Sequence, residues 1–303
     1  MYKMTPKELI LTSGSSKGSQ IKFFKDGYWY KIDENGPAGI AEETVSKLLQ
    51  CSSLSKDEFV NYESCKIQYN DDNLTKEYDG CRSKSFLEPG EMFYSYEKIY
   101  KMMTGNELSE DIIKLNSPKE RIEYTASIIK DFCGLDVKDY ISKNLTCDML
   151  FINTDRHFNN LGIISNYDQT SFRNAPIFDN GAAFLSNYTE YPPNISIDDI
   201  KSERIFITGK PFAANLEYQA IESGITMQFD YSELQKVIEN IPNKRIREIV
   251  NFQCEKYKSL LQKDYYQGID IQNYQESNAN TQQNIAELED VELEDDWDID
   301  ITD

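Results

Sequence analysis

The chain is organised around residues 150–184, LFINTDRHFNNLGIISNYDQTSFRNAPIFDNGAAF, which contain its only histidine. Short apolar runs in this stretch alternate with Asn- and Asp-rich segments, a pattern typical of strands bounded by turns. We predict one strand at residues 161–164 and a second at 176–178, joined by the turn-rich link NYDQTSFRN. Because a hairpin returns the chain to its starting point, the residues that flank it should lie close together.

Three polar residues flank this predicted hairpin: Asp155 and Asn160 precede it, and Asp179 follows it. Phosphoryl transfer needs a carboxylate that orients the attacking hydroxyl group, and Asn and Asp oxygens that hold Mg²⁺ on the phosphates. The pattern therefore indicates Asp155 as the catalytic base and Asn160 and Asp179 as the metal ligands. The alternative is that each side chain only satisfies the hydrogen bonds of its own turn.

At these residues the sequence resembles the catalytic and metal-binding loops of the HipA-like kinases. Asp155, His157 and Asn160 match the D-x-[KH]-x-x-N positions of that family. Asp179, in the motif FDNG, matches the family's counterpart of the DFG aspartate. The resemblance extends over about residues 8–262, and the catalytic motif is its most specific part.

The resemblance implies an α+β, bilobal protein-kinase-like fold, with a small β-rich N-terminal lobe that contains one helix and a larger, mostly helical C-terminal lobe. It also implies ATP- and Mg²⁺-dependent transfer of the γ-phosphoryl group to Ser or Thr of a protein substrate and of the chain itself. His157 would then orient the substrate hydroxyl or stabilise the transferred charge, although a loop histidine can equally hold its neighbours by backbone hydrogen bonds.

Two alternatives to a protein kinase stay open at this point. Asn180 stands where the DFG motif has Phe, and this departure favours a catalytically degenerate kinase fold that serves as a binding module. The Asp-Arg-His order at 155–157 is also that of lipid kinases, so the substrate could be a lipid or another small molecule.

A Gly/Ser loop lies between the predicted strands ELILT and QIKFF. The backbone amides of such a loop can cradle phosphates, although a simple hairpin turn is the alternative. The loop is similar to the G-x-x-x-K phosphate loop of HipA-like kinases, although it lacks the full G-x-G-x-x-G of protein kinases. The resemblance to HipA-like kinases also makes its serines candidate self-phosphorylation sites. We assign five of its residues to nucleotide binding: Gly14, Ser15, Ser16, Lys17 and Gly18.

Lys31 lies on the next predicted strand, YWYKI, where it could bind the α- and β-phosphates of ATP. The alternative is an exposed lysine that extends to water. The following segment, GPAGIAEETVSKLLQ, has apolar residues at helical spacing. Glu42 projects on the inward side of this helix, so we predict that it pairs with Lys31. Glu43 is the fallback, because an ordinary surface pair with Lys47 accounts for it.

We predict an N-terminal lobe at residues 1–90, a C-terminal lobe at 91–265 and an acidic tail at 266–303. The Pro-Gly pair in the segment 88–90 marks the hinge between the lobes. Residues 188–224 are predicted to be irregular, as an activation or substrate-binding segment. Helices in the C-terminal lobe are expected at 92–103, from a capping box at 117–120 to Gly134, at 136–149, from the cap at Asp230, and at 244–262.

The tail contains ten acidic residues between Glu287 and Asp303 and no Lys or Arg in that span. Repulsion among these charges favours a disordered, solvated segment. Six apolar residues are interleaved with the acids, so the alternative is a docking segment for a partner of the tail, or a plug for a basic groove.

The formal net charge of −20 argues against a nucleic-acid-binding surface and against an anionic membrane as partner. No apolar run approaches the roughly 18 residues that a membrane-spanning helix needs. The six cysteines form no C-x-x-C pair, and the presence of a single histidine argues against a Cys/His zinc site. Since the N-terminus lacks the features of a secretion signal, we expect reduced thiols and a cytoplasmic location.

Overall fold

A computed structural model of the chain describes residues 1–10, 20–71, 74–194, 208–209 and 211–262. These residues belong to one compact unit, Met1–Lys263, and the second unit, Asp264–Asp303, lies outside the described residues. Several sequence predictions therefore fall outside the description: the tail at 266–303 and the phosphate-loop residues Gly14, Ser15, Ser16, Lys17 and Gly18.

The N-terminal part of the chain forms a six-stranded sheet in the order β1-β5-β6-β4-β3-β2. Its strands are β1 Tyr2–Met4, β2 Leu9–Ile10, β3 Lys22–Lys25, β4 Tyr28–Ile32, β5 Tyr62–Asp71 and β6 Leu74–Lys84. β1 pairs with β5 in parallel, and the other pairs are antiparallel. The first two strands follow each other in the chain but lie at opposite edges, so the sheet curls. Its inner face buries Met4, Phe23, Tyr30, Ile32 and Ile67.

The single helix of this lobe is α1, Ala38–Leu49, and it packs on β5 and β6. Gly39 allows a close approach to the sheet, because a Cβ atom at Gly39 would lie 2.5 Å from the carbonyl carbon of Gly80. The other face of α1 buries Val45 and Leu48 in the larger core that it shares with the helical part. α1 thus joins the two parts of the fold.

The expected helix at residues 92–103 is only partly correct. Residues Glu91–Ser95 form strand β7, and helix α2 covers Tyr96–Thr104. The Ser95 hydroxyl accepts a hydrogen bond from the Lys98 backbone N–H, so it caps α2 and ends the strand before it. The predicted hinge at residues 88–90 therefore lies between two strands, β6 and β7, and not between a strand and a helix.

The predicted hairpin is present, but its second strand lies earlier than predicted. A three-stranded sheet has the order β7-β8-β9, with β8 at Gly162–Asn166 and β9 at Phe172–Asn174. Residues 176–178 do not form the predicted strand, because Ile177 makes only an isolated bridge with Phe59. The tight turn after Asn166 uses fewer residues than the predicted link, and this shifts the pairing toward the turn.

The C-terminal part is mostly helical within the described residues. Its further helices are α3 Leu108–Asp111, α4 Pro118–Cys133, α5 Lys138–Phe151, α6 Leu216–Ser223, α7 Tyr231–Glu239, α8 Lys244–Lys256 and α9 Lys258–Leu261, with a short strand pair β10 Thr208–Gly209 and β11 Ala214–Asn215. The predicted caps are present, since Ser117 accepts from the Glu120 N–H and Asp230 from the Ser232 and Glu233 N–H groups.

Two expectations for this part are wrong. The segment 188–224 is not irregular throughout, because it contains α6, whose first turn is capped by the Asn215 side chain. The last helix is interrupted, since Tyr257 separates α8 from α9. In the part of the chain that the structure describes, no helix combines the length and the apolar character needed to cross a bilayer. The elements form the α+β fold that the sequence predicts.

Candidate active site

The segment that leads out of α5 is anchored before it reaches the predicted catalytic residues. α5 is buried almost all round, and it ends at Ile152, which has a left-handed backbone with φ of 52°. Asn153 then donates from its side-chain amide to the Asp148 carboxylate at 3.1 Å. Because both residues are buried, the start of the loop at 153–160 is fixed by the helix. Asp155 lies exposed in this loop, whereas Asn160 is only 5% exposed.

Asn160 and Asp179 lie together, although 19 residues separate them. The Asn160 side-chain amide donates to Asp179 Oδ2 at 2.7 Å. Asp179 has a left-handed backbone with φ of 60°, a conformation that costs most non-glycine residues about 1 kcal/mol or more. Residues held in this way persist only where their surroundings fix them. The hairpin therefore delivers Asp179 to Asn160 in a defined orientation.

Lys31 reaches the same point from the N-terminal sheet. Its ammonium group donates to Asp179 Oδ1 at 2.5 Å and to Glu42 Oε1 at 2.6 Å. Glu43 instead pairs with Lys47 at 2.8 Å, on the outer face of α1. Lys31 is thus held between a carboxylate of its own lobe and a carboxylate of the hairpin.

Lys31 and Asp179 stabilise each other's charged form, whereas burial raises the pKa of Glu42 above its ordinary value. Burial disfavours the ammonium form of Lys31, but the Asp179 and Glu42 carboxylates outweigh burial and raise the pKa of Lys31 well above its ordinary value. Burial likewise works against the Asp179 carboxylate, but Lys31 and Lys22 outweigh it and hold the pKa of Asp179 far below its ordinary value. Asp179 is therefore an ionised oxygen donor at neutral pH.

Lys22 is a site residue that the sequence analysis missed. It lies on β3 directly opposite Lys31 on β4, so the two side chains share one face of the sheet. Its ammonium nitrogen is 3.9 Å from Asp179 Oδ2, and its side chain is 30% exposed. The signal was present in the sequence, because a tight hairpin between KFFK and YWYKI pairs these two lysines.

Tyr62, on β5, was also missed. Its hydroxyl oxygen accepts a hydrogen bond from the Asp179 backbone N–H at 3.4 Å, and the Lys31 ammonium lies 5.1 Å from the ring centroid. Burial raises the pKa of the Tyr62 hydroxyl, so the ring stays neutral behind the charged cluster. The packing of β5 against α1 places Tyr62 beside Asp179 and Lys31, and no local sequence pattern predicts this position.

A second, fully buried network lies below the ion cluster. Arg156 and Asp148 are both 0% exposed and form a salt bridge with a shortest distance of 3.0 Å. Arg156 also donates to the Asn180 side-chain oxygen at 2.6 Å. Burial lowers the pKa of Arg156, but the Asp148 carboxylate outweighs it and the net direction is upward. From the sequence, Arg156 is expected either to brace this loop or to be a solvent-exposed charge, and its burial favours the first. The sequence analysis considered Asn180 only as a departure from the DFG motif, and it assigned no role to Asp148.

The structure thus brings together four of the predicted site residues, Lys31, Glu42, Asn160 and Asp179. Asp155 and His157 lie in the same loop, and their catalytic roles stay predictions, as does the assignment of the phosphate loop. No group of three or more His, Cys, Asp or Glu side chains suitable for a metal is found in the described ranges. A divalent ion here would have one carboxylate and one amide as its protein ligands.

These two ligands fit Mg²⁺ chemically. Mg²⁺ prefers oxygen donors and is usually held by one or two side chains together with water and phosphate oxygens. The ionised Asp179 supplies such an oxygen. The Asn160 amide presents its nitrogen to Asp179, and a rotation of the amide by half a turn would present its oxygen instead.

Comparison with known proteins supports the architecture. No family model matches the chain, and no curated protein matches it. Among solved structures, the chain is similar to the crystal structure of CtkA, described as a proinflammatory kinase of Helicobacter pylori. The TM-score is 0.53 at 15% sequence identity, and the match covers 85% of this chain and 94% of that one. At this identity the likeness concerns the fold, so the chain has the bilobal, protein-kinase-like fold that the sequence predicts.

Proposed function

We propose that this protein is an ATP- and Mg²⁺-dependent kinase that transfers the γ-phosphoryl group to Ser or Thr of a protein, and also to itself. The observation that carries the proposal is the meeting of three distant segments at Asp179. Lys31 from β4 and Asn160 from the loop after α5 both donate to its carboxylate. A kinase-like fold with this cluster between its sheet and its helical part has the groups that phosphoryl transfer requires.

Each residue has a role that follows from its chemistry. The Lys31 ammonium has three N–H donors; Glu42 and Asp179 accept two of them, and the third can donate to a phosphate oxygen. Lys22, on the same face of the sheet, can neutralise a neighbouring phosphate. Asp179 and Asn160 would hold Mg²⁺, which neutralises phosphate charge when bound. Asp155 would accept the proton of the substrate hydroxyl as it attacks.

The choice of acceptor comes from the sequence resemblance. A protein Ser or Thr follows from the resemblance of residues 155–160 and of the motif FDNG at 178–181 to HipA-like kinases, and membership of that family stays a prediction. The case for a degenerate binding module rested on the Gly-rich loop, which lacks the full G-x-G-x-x-G, and on Asn180. In the structure its side chain accepts a hydrogen bond from Arg156, so this residue has a positive role and does not by itself favour loss of activity.

The test is phosphate incorporation by purified protein with radiolabelled ATP and Mg²⁺, with and without a mixture of protein substrates. Asp155→Ala should abolish labelling, because it removes the base. Asp168→Ala is the matched control, since Asp168 is an exposed aspartate in the β8–β9 turn. Equal labelling by wild type and Asp155→Ala would contradict the proposal. Labelling of added lipid in place of protein would support the lipid-kinase alternative.

A further inference from the structure

Asn180, the residue after Asp179, links both halves of the candidate site. Its side-chain oxygen accepts from Arg156 Nη2 at 2.6 Å, which connects it to the catalytic loop. Its backbone N–H donates to Glu42 Oε2 at 2.9 Å, which connects it to α1 and so to the partner of Lys31. Asn180 is 3% exposed, so these bonds form away from water and their loss would not be replaced by solvent.

Arg156 holds the chain on both sides of Asp179. Its Nη1 group donates to the Phe178 carbonyl oxygen at 2.5 Å, and its Nη2 group donates to the Asn180 side chain. Its Nε group donates to both Asp148 oxygens at 3.1 Å. A buried guanidinium is tolerated only when its N–H groups are satisfied. Here the acceptors come from Phe178 and Asn180, which flank Asp179, and from Asp148 in the last turn of α5.

We propose that Arg156 and Asn180 are a positioning pair that fixes Asp179 at the distance from Asn160 that a Mg²⁺–nucleotide complex needs. The inference rests on the proposed function and adds residues to it. The left-handed backbone of Asp179 requires support from its surroundings, and this pair supplies it from both sides. An apolar residue at position 180, such as the Phe of the DFG motif, would leave an Arg156 N–H without an acceptor. The departure from DFG is therefore matched to the arginine of the catalytic loop.

The experiment compares three variants by calorimetry with a non-hydrolysable ATP analogue, titrated at a series of Mg²⁺ concentrations. Asn180→Leu removes the acceptor and should raise the Mg²⁺ concentration for half-maximal binding by about 10–100-fold, as outer-shell changes commonly do. Arg156→Lys loses the planar fork and should act in the same direction. Asn180→Asp keeps an acceptor for Arg156, so the Mg²⁺ concentration that it needs for half-maximal binding should be much closer to that of wild type than to that of Asn180→Leu.

Asn144→Leu is the matched control, because Asn144 is 0% exposed on α5 and donates to the Tyr140 carbonyl of its own helix. It should lower the melting temperature without changing the Mg²⁺ dependence. Thermal melts identify variants that do not fold. If Asn180→Leu does not fold, the comparison of Arg156→Lys with Asn180→Asp tests the positioning pair instead. Wild-type Mg²⁺ dependence in folded Asn180→Leu or Arg156→Lys would overturn the positioning pair. Absence of Mg²⁺-dependent binding in wild type would overturn the proposed function instead.

Discussion

At the scale of single residues, the site is a balanced cluster of four charges. Lys31 and Lys22 supply two positive charges, and Glu42 and Asp179 supply two negative ones. Such balance lets Lys31 stay charged although its side chain is only 9% exposed. Because the carboxylates satisfy the lysines, the cluster can accept an added cation and polyphosphate together without leaving a buried charge unpaired.

The two lysines should differ in their effect on activity. Lys31→Ala should lower kcat/KM by about 10²–10³-fold, because it removes a preorganised donor from a buried site. Lys22→Ala should cost only about tenfold, since this more exposed cation is partly screened by water. Steady-state kinetics with ATP measures both values. Lys25→Ala is the control, because Lys25 lies on β3 with Lys22, and its kcat/KM should stay close to that of wild type. A greater loss of kcat/KM for Lys22→Ala than for Lys31→Ala would reverse the assigned roles.

Asp33 should make stability depend on pH. Its carboxylate accepts the Gly39 N–H at 2.7 Å, and burial raises its pKa to about 6. Because the folded-state pKa lies above the unfolded value, the stabilisation is complete below about pH 4 and is lost as pH rises through 6. Asp33→Asn keeps the acceptor, so it should be more stable than wild type at pH 7 by about 1–2 kcal/mol, a value reduced for partial screening.

Urea denaturation between pH 4 and pH 7.5 checks this prediction. The difference between Asp33→Asn and wild type should be near zero at pH 4 and should reach its maximum above pH 6. Asp131→Asn, at an exposed position on α4, controls for the change in net charge. A difference that does not vary with pH would show that Asp33 does not titrate in this range.

At the scale of elements, helix α1 determines whether Lys31 and Glu42 can meet. Local patterns predict this helix well, because its apolar residues recur at helical spacing. They predict less well where strand pairing begins. β7 and the shifted β9 depend on hydrogen bonds with β8, and α6 follows a capping residue within a segment rich in turn signals. These elements are decided by tertiary partners that a local pattern does not contain.

Gly39→Ala should displace α1 from the sheet. The added Cβ would meet the Gly80 backbone at 2.5 Å, and backbone cannot yield as a flexible side chain does. We expect a loss of about 1–3 kcal/mol in the free energy of unfolding, as for other overpacked sites. Nucleotide affinity should fall as well, because Glu42 moves with the helix. Urea denaturation and calorimetry measure the two effects.

Lys47→Ala is the control on the same helix. The Lys47 side chain is 55% exposed and pairs only across one turn with Glu43, so its loss should change stability by less than about 0.5 kcal/mol. If Gly39→Ala were as mild as Lys47→Ala, the tight contact between α1 and β6 would not be needed for the site.

At the scale of the whole molecule, the sequence predicted the two-part architecture and most of the ion cluster. Short motifs predicted Asp179, Asn160 and Lys31 as site residues, because the spacing of the motifs and the order of the strands limit where such residues can lie. The residues that hold these three side chains in place were harder to predict from the sequence. Tyr62 and Asn180 act through contacts between segments far apart in the chain, and only the folded arrangement shows which buried groups satisfy one another.

The most direct test of the account is the affinity for Mg²⁺–ATP in wild type and in Asp179→Asn, measured by calorimetry. Asparagine keeps the shape of the side chain and tolerates the left-handed backbone, so the variant removes the charge with little change in fold. The account predicts at least about tenfold weaker binding and loss of its Mg²⁺ dependence. An affinity that is unchanged, and that still rises with Mg²⁺ as in wild type, would contradict it.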